Sequence, residues 1–516
     1  MRHLRRSLVV AGLSWGLLAA ATLLSAPAEA QTPRRGGTIT VATVGEPTSL
    51  DPMVTTADLV GGMMQHVFET LFTFGDGLTI VPLLAESDPV IGDGGRSITI
   101  KLRQGVKFHD GSTMTAADVI ASLTRWREVA DRGKTGWAYI TTATTPDPYT
   151  VVLTLKDPYA PLLALLSLNN NAMAVTPASN QAIPMTRFIG TGPYMLHERR
   201  PDQWVILRRF DGYTARTDAP TGYGGKRTAY IDEIRYVPVP DPNTRVEGLL
   251  SGQFDYSESN PNTALTRLQG QRNVEPFVMK DFGYSVFSLN NKQGLLSNVK
   301  MRQALLAALD MDEIMKAAFG RQEMYAVRGS MYPPGLRFHS TVASEAYNQK
   351  NATRARQLAA EAGYKGEPIR LLTTTQFDYY YNMALVGAEQ WKKAGFNIDL
   401  QVLDWATLLA RRNNPALYEM STVGAPFLAE PSLTFTAGAE RPGFWSSEAK
   451  DRIVGAFNAE MDTAKRTALW ADVQALIYTE VPYIKVGDQG TLRAKSARLK
   501  GVKPGAWSFF WDAWVE

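Results

Sequence analysis

The segment from Ile369 to Val402 constrains the fold most. Ile369 to Thr373 reads as a strand, Tyr379 to Ala394 as a helix, and Ile398, Leu400 and Val402 alternate as a second strand. Gly395 stands where a helix ends in a left-handed cap. Strand, helix and strand at this spacing make a crossover unit, which requires parallel pairing. A second helix, Thr353 to Ala362, ends the same way at Gly363. Elsewhere Thr38 to Val41 reads as an early strand. Ile98, Ile100 and Leu102 alternate with polar residues, as do Val151, Leu153 and Leu155. Between those runs Thr115 and Asp118 fit a capping box, and Ile120, Leu123, Trp126 and Ala130 follow at helical spacing. Strand and helix signals alternate throughout, which predicts an α/β chain.

The N-terminus carries a different signal. Arg2, His3, Arg5 and Arg6 precede an apolar stretch from Leu8 to Ser25, and Ala28-Glu29-Ala30 offers small residues flanking a cleavage point. This predicts a secretory signal peptide over residues 1–30, cleaved after Ala30. The chain contains no cysteine, which excludes disulfides, thiolate nucleophiles and the cysteine of a lipoprotein anchor. Its 516 residues are 45% hydrophobic and 20% charged, with a net charge of +4. That is enough chain for two cores. Three of the arginines lie in the leader, so no basic patch points to nucleic acid.

From Leu102 to Val119 the sequence reads LRQGVKFHDGSTMTAADV. This resembles the segment shared by extracellular solute-binding proteins of family 5, the oligopeptide, dipeptide and nickel group. Further resemblances follow in order. They are Gly190-Thr191-Gly192-Pro193-Tyr194, the run from Ile231 to Asp255, Val299 to Leu305 with Asp312, Ile314 and Gly320, and Ala360 to Tyr364. Most of these residues read as turns and caps, and Arg302 as a surface or structural pairing residue.

The resemblance implies a two-lobed periplasmic-binding-protein (Venus-flytrap) fold with an additional subdomain on the first lobe. The expected division is residues 31–75, 186–283 and 489–516 for lobe I, 76–185 for the subdomain and 284–488 for lobe II. Tyr284 to Asn290 and Val481 to Val486 are the expected crossing strands. The implied function is delivery of a peptide or other small organic solute to an ABC permease in the inner membrane. The ATPase is then a separate subunit, since no phosphate-cradling loop is present. The protein is expected in the periplasm, as a monomer, without cofactor or metal.

Family-equivalent regions supply the candidate ligand-binding residues. They are Thr56 and Met63 after the first strand, Trp137 in the segment from Arg132, and Asn171 in the Asn169-Asn170-Asn171 run. Tyr284 sits near the crossing, and Trp405, Phe427 and Leu428 belong to the second lobe. Peptide-binding relatives carry an aspartate where Phe427 falls, and that aspartate pairs with a peptide ammonium group. Its absence points to a neutral, anionic or aromatic solute, and Phe427→Ala is expected to weaken binding. Two rival readings remain open, a secreted enzyme on this scaffold and capture of a metal chelate. The five histidines are scattered, and no nucleophile elbow or paired-histidine motif is present. A chaperone or receptor-feeding role is a third alternative.

Overall fold

The computed structural model describes residues 32–47, 49–436 and 441–516. The leader and its cleavage point after Ala30 lie outside them. Among the described residues, eleven strands join into one continuous hydrogen-bonded ladder.

The first half of that ladder is built on Thr38–Thr43, which pairs in parallel with Glu233–Pro238 and with Tyr256–Asn260. Trp204–Arg209 and Tyr194–Arg200 extend it antiparallel to the edge. The second half has Ile369–Thr373 between Ile398–Val402 and Met420–Pro426, parallel to both. The crossover predicted from sequence is therefore present, with Ile369 opposite Ile398. Its helix is Asp378–Lys393, and Gly395 adopts φ +96°, a conformation that costs other residues a Cβ clash. Ile398–Val402 is an outer strand, so Val402 stays 47% exposed despite its apolar side chain.

Two long strands join the halves. Val274–Leu289 and Tyr483–Ser496 run antiparallel along each other from Val274 opposite Ser496 to Ser288 opposite Tyr483. Their register shifts between Met279 and Gly283 and again between Ser285 and Val286. Asp281 adopts φ +52° inside the first shift. A ladder interrupted in this way bends and twists locally.

Separate hydrophobic clusters fill the two halves. One gathers Ile39, Met63, Phe72, Trp126, Tyr194 and Trp511; the other gathers Phe287, Leu305, Met315, Trp391 and Trp470. A four-stranded antiparallel sheet, Val90–Gly92, Ser97–Lys101, Thr150–Leu155 and Ile140–Asp147, forms an added layer on the first half. Helix Ala116–Val129 packs there, and the Asp118 carboxylate accepts from the Thr115 N–H at 2.8 Å and its hydroxyl at 3.0 Å. Arg125 of this helix forms a buried ion pair with Asp51 at 2.5 Å and so fixes the loop that follows the first strand.

The Gly190-to-Tyr194 turn passes too close to the chain for a side chain. A Cβ on Gly192 would lie 2.3 Å from the His66 carbonyl oxygen. Of the two expectations for Arg302, surface or structural pairing, the structure shows the structural one. The residue is 3% exposed and donates to the carbonyls of Leu296, Ser297, Glu480 and Val481. Five N–H donors let one guanidinium satisfy several helix-end and loop carbonyls at once.

His66 anchors the C-terminal return. Its Nε2 accepts from the Phe510 N–H at 3.0 Å, so Nδ1 carries the proton and donates to the Met63 carbonyl. Burial depresses its pKa from 6.5 to about 3, and burial likewise takes His109 to about 4. Below pH 6.5 the unfolded chain therefore binds protons that the folded chain refuses. This contribution to stability is complete above pH 6.5 and declines as pH falls toward the folded values, by up to about 1.4 kcal/mol per pH unit per group. Urea melts at pH 7, 5.5 and 4.5 test this, and His66→Gln is expected to flatten the slope. An unchanged slope in the variant would contradict it.

Candidate functional site

A cavity of about 280 Å³ opens where the second half meets the two long strands. Tyr284, Val286 and Ser288 reach it from one long strand and Tyr483 from the other. Val423, Gly424 and Ala425 come from the adjoining strand. The strand period explains part of this wall, because residues 284, 286 and 288 share one face.

Aromatic rings close the rest. Phe435 packs on Tyr284 with ring centroids 4.5 Å apart, and Phe444 and Trp445 complete the lining. The Trp445 indole N–H donates to Glu480 at 2.6 Å, which holds the ring in place. Burial raises the pKa values of Tyr284 and Tyr483, so both stay neutral phenols. Arg412 and Arg441 are the charged residues among the described lining; none of that lining is acidic. Arg412 ends helix Trp405–Arg412, and its Nε is buried without a hydrogen-bond partner.

The first half faces this region with its own polar group. The Asp58 carboxylate accepts from the Trp507 indole at 2.7 Å and from Asn170 Nδ2 at 2.8 Å. Although the residue as a whole is exposed, lost hydration at its carboxylate raises the Asp58 pKa, with the Trp507 hydrogen bond opposing. Arg132 donates to the Asn170 carbonyl at 2.7 Å. Its pKa falls to about 10, chiefly through burial, with the positive charge of Arg441 adding to the effect. The halves touch elsewhere too: the Ala160 N–H donates to the Asn458 carbonyl at 2.9 Å.

Of the eight candidate residues, Tyr284 lines the cavity. Phe427 stands behind the wall, 3% exposed, with its ring 5.6 Å from Tyr284 and 5.8 Å from Tyr332. Leu428 is buried against the first half's cluster. Trp405 is half-buried on Phe377 and Tyr380. Met63 is 1% exposed in that same first cluster, so core packing occupies it. Asn171 is spent on structure: its Nδ2 donates to the Met53 carbonyl and its Oδ1 accepts from the Arg132 N–H. Trp137 is half-buried under the Arg127 guanidinium at 4.9 Å. Thr56 is exposed, and its carbonyl accepts from Asn170 Nδ2. Sequence reasoning missed Arg412, Phe435, Arg441, Phe444, Trp445 and Tyr483.

The model of bacterial extracellular solute-binding proteins, family 5, matches residues 79–441, more than half of the chain. The chain belongs to that family. Among its relatives is the probable peptide ABC transporter periplasmic-binding protein y4tO of Sinorhizobium fredii, 26% identical over 98% of each chain. The glutathione-binding protein GsiB of Escherichia coli is also 26% identical, over 92% of this chain and 94% of its own. The solved structure of the periplasmic binding protein DppA from Helicobacter pylori, in complex with a peptide, superposes with a TM-score of 0.78. It covers 94% of this chain and 99% of DppA at 21% identity. The fold of this family 5 member is thus the two-lobed periplasmic-binding-protein form. The long strands join its two halves, and the four-stranded layer is an addition to the first of them. Its kin are binding components of ABC transporters.

Proposed function

We propose that this protein is the periplasmic solute-binding component of an ABC-type importer. It takes a peptide or other small organic solute into the cavity at the lobe crossing and delivers it unchanged to the membrane permease. The observation that carries this reading is the position of the cavity against two register-shifted strands, where ligand contacts and lobe motion meet. Its relatives named for peptide and glutathione binding support it. Residues 31–75, 186–283 and 489–516 move as lobe I with the 76–185 subdomain, and 284–488 as lobe II. A micromolar solute supplies about 8 kcal/mol of binding free energy, ample to bias an open–closed gap of a few kcal/mol.

The mature chain is a periplasmic monomer that begins at Gln31 after removal of the leader. Native mass spectrometry of protein released from the periplasm tests all of this together. The expected spectrum is a monomer starting at Gln31 that sheds a small solute on activation. A retained leader, or a solute chemically changed after incubation, would contradict the proposal.

A further inference from the structure

The charge of the cavity goes further than its shape. A guanidinium is always charged, and a partly buried one ordinarily pairs with a carboxylate or satisfies carbonyls. Among the described residues the fully buried arginines do so: Arg125 with Asp51, Arg227 with Glu69, Arg466 with Glu430, and Arg302, Arg245 and Arg493 with carbonyl oxygens, whereas Arg412 is half-buried. Arg412 does neither. No ion pair or hydrogen bond of its side chain occurs among the described residues, its Nε is buried, and it lines the cavity. Arg441, at an exposed position, lines the same cavity.

Resting on the reading of this cavity as the solute site, we infer that its ligand is an organic carboxylate with an apolar or aromatic body and no ammonium group. Arg412 receives the carboxylate, and Arg441 adds the second positive charge. The body of the ligand lies against Tyr284, Phe435, Phe444 and Trp445. A cationic end finds no acidic partner among the described lining residues and meets two positive charges instead; the carboxylate on the facing half, Asp58, is already engaged by the Trp507 indole and the Asn170 amide. The cavity volume, about 280 Å³, lies near the low end of ligand pockets, at about 300 Å³ and above, and suits a compact acid.

The electrostatics of the facing lobe agree. Arg132, on the facing half, senses the Asp58 carboxylate more strongly than the Arg441 charge, so its own charge is already compensated and, among the described residues, the cations left for a ligand are those of the cavity itself.

Three probes of matched shape test the inference by calorimetry and thermal shift: N-acetylphenylalanine, its neutral amide, and phenylalanine amide, which is a cation. The acid is expected to bind at least about tenfold more tightly than the neutral amide, the effect of a charge-assisted bidentate contact, and the cation least. Arg412→Gln is expected to erase the acid's advantage, and Arg412→Lys to restore part of it. Arg441→Gln, at an exposed position, gives a second reading if the Arg412 variants melt early. Equal binding of acid and amide, preference for the cation, no binding of the acid at 10 mM, or an unchanged acid-to-amide ratio in the folded variants would overturn the inference. Tight binding of free zwitterionic dipeptides with indifference to the acid would overturn it while leaving the importer reading intact. Only failure to bind solutes of every charge class would count against that reading itself.

Discussion

Replacing Asp488 with alanine is expected to lower unfolding stability by about 3–5 kcal/mol, the cost of leaving a buried charge without its counterion. Lys485 and Asp488 are fully buried on the same crossing strand, with Nζ and Oδ1 2.5 Å apart. Arg328 contacts the other carboxylate oxygen at 3.0 Å and also reaches Asp281 at 2.5 Å. Asp281 lies in the register shift of the opposite crossing strand. The network therefore ties the two crossings together where their ladder is interrupted. Burial draws both members of the pair toward neutrality, Lys485 below its usual range and Asp488 above. Without Asp488, Lys485 keeps, among the described residues, the carbonyls of Ser330 and Met331 as hydrogen-bond partners. The double change Lys485→Met with Asp488→Leu is expected to cost less than Asp488→Ala alone, because no charge is then stranded. Urea unfolding with slopes compared across variants measures both. A loss under 1 kcal/mol for the single variant would show that the pair is not desolvated as described.

The second large effect is at Phe427. Truncation to alanine is expected to cost about 3–5 kcal/mol, as for other large aromatic side chains in packed cores. The ring is sandwiched among Tyr284, Tyr332 and the Lys485 ammonium, which sits 5.8 Å from its centroid. Phe427→Leu keeps most of the volume and is expected to cost less than about 1.5 kcal/mol. Affinity is expected to fall in the alanine variant too, because Tyr284 loses the surface behind it; Phe427 itself does not line the cavity. Phe427→Ala and Asp488→Ala share Lys485 as a neighbour, so their costs are expected not to add. Simple additivity, or an alanine variant as stable as the parent, would contradict this packing.

What the sequence discloses depends on how local the cause is. Ile369–Thr373, Ile398–Val402 and their helix are legible because period and glycine caps reside in adjacent residues. The capping box at Thr115 and Asp118 is legible for the same reason. The crossing strands are visible only in part. Tyr284 to Asn290 marks one end of a sixteen-residue strand, and the register shifts depend on both partners. The cavity is less legible still. Tyr284 is found because it lies next to the crossing. Arg412, Arg441 and Trp445 carry no mark that separates them from other arginines and tryptophans. What distinguishes Arg412 is a partner it lacks, and only the assembled lobe shows that. Asn171 misleads in the opposite direction: a polar run reads as an open loop, yet its amide is consumed by Met53 and Arg132.

Small-angle scattering in two states tests the hinged clamp most directly. Protein stripped of solute by unfolding and refolding is compared with the same sample after addition of the low-mass fraction of a yeast extract. Native mass spectrometry of each sample reports what is bound. The account predicts a smaller radius of gyration in the loaded sample and a released solute of unaltered mass. Superimposable curves with solute bound, or a solute recovered with a different mass, would contradict it.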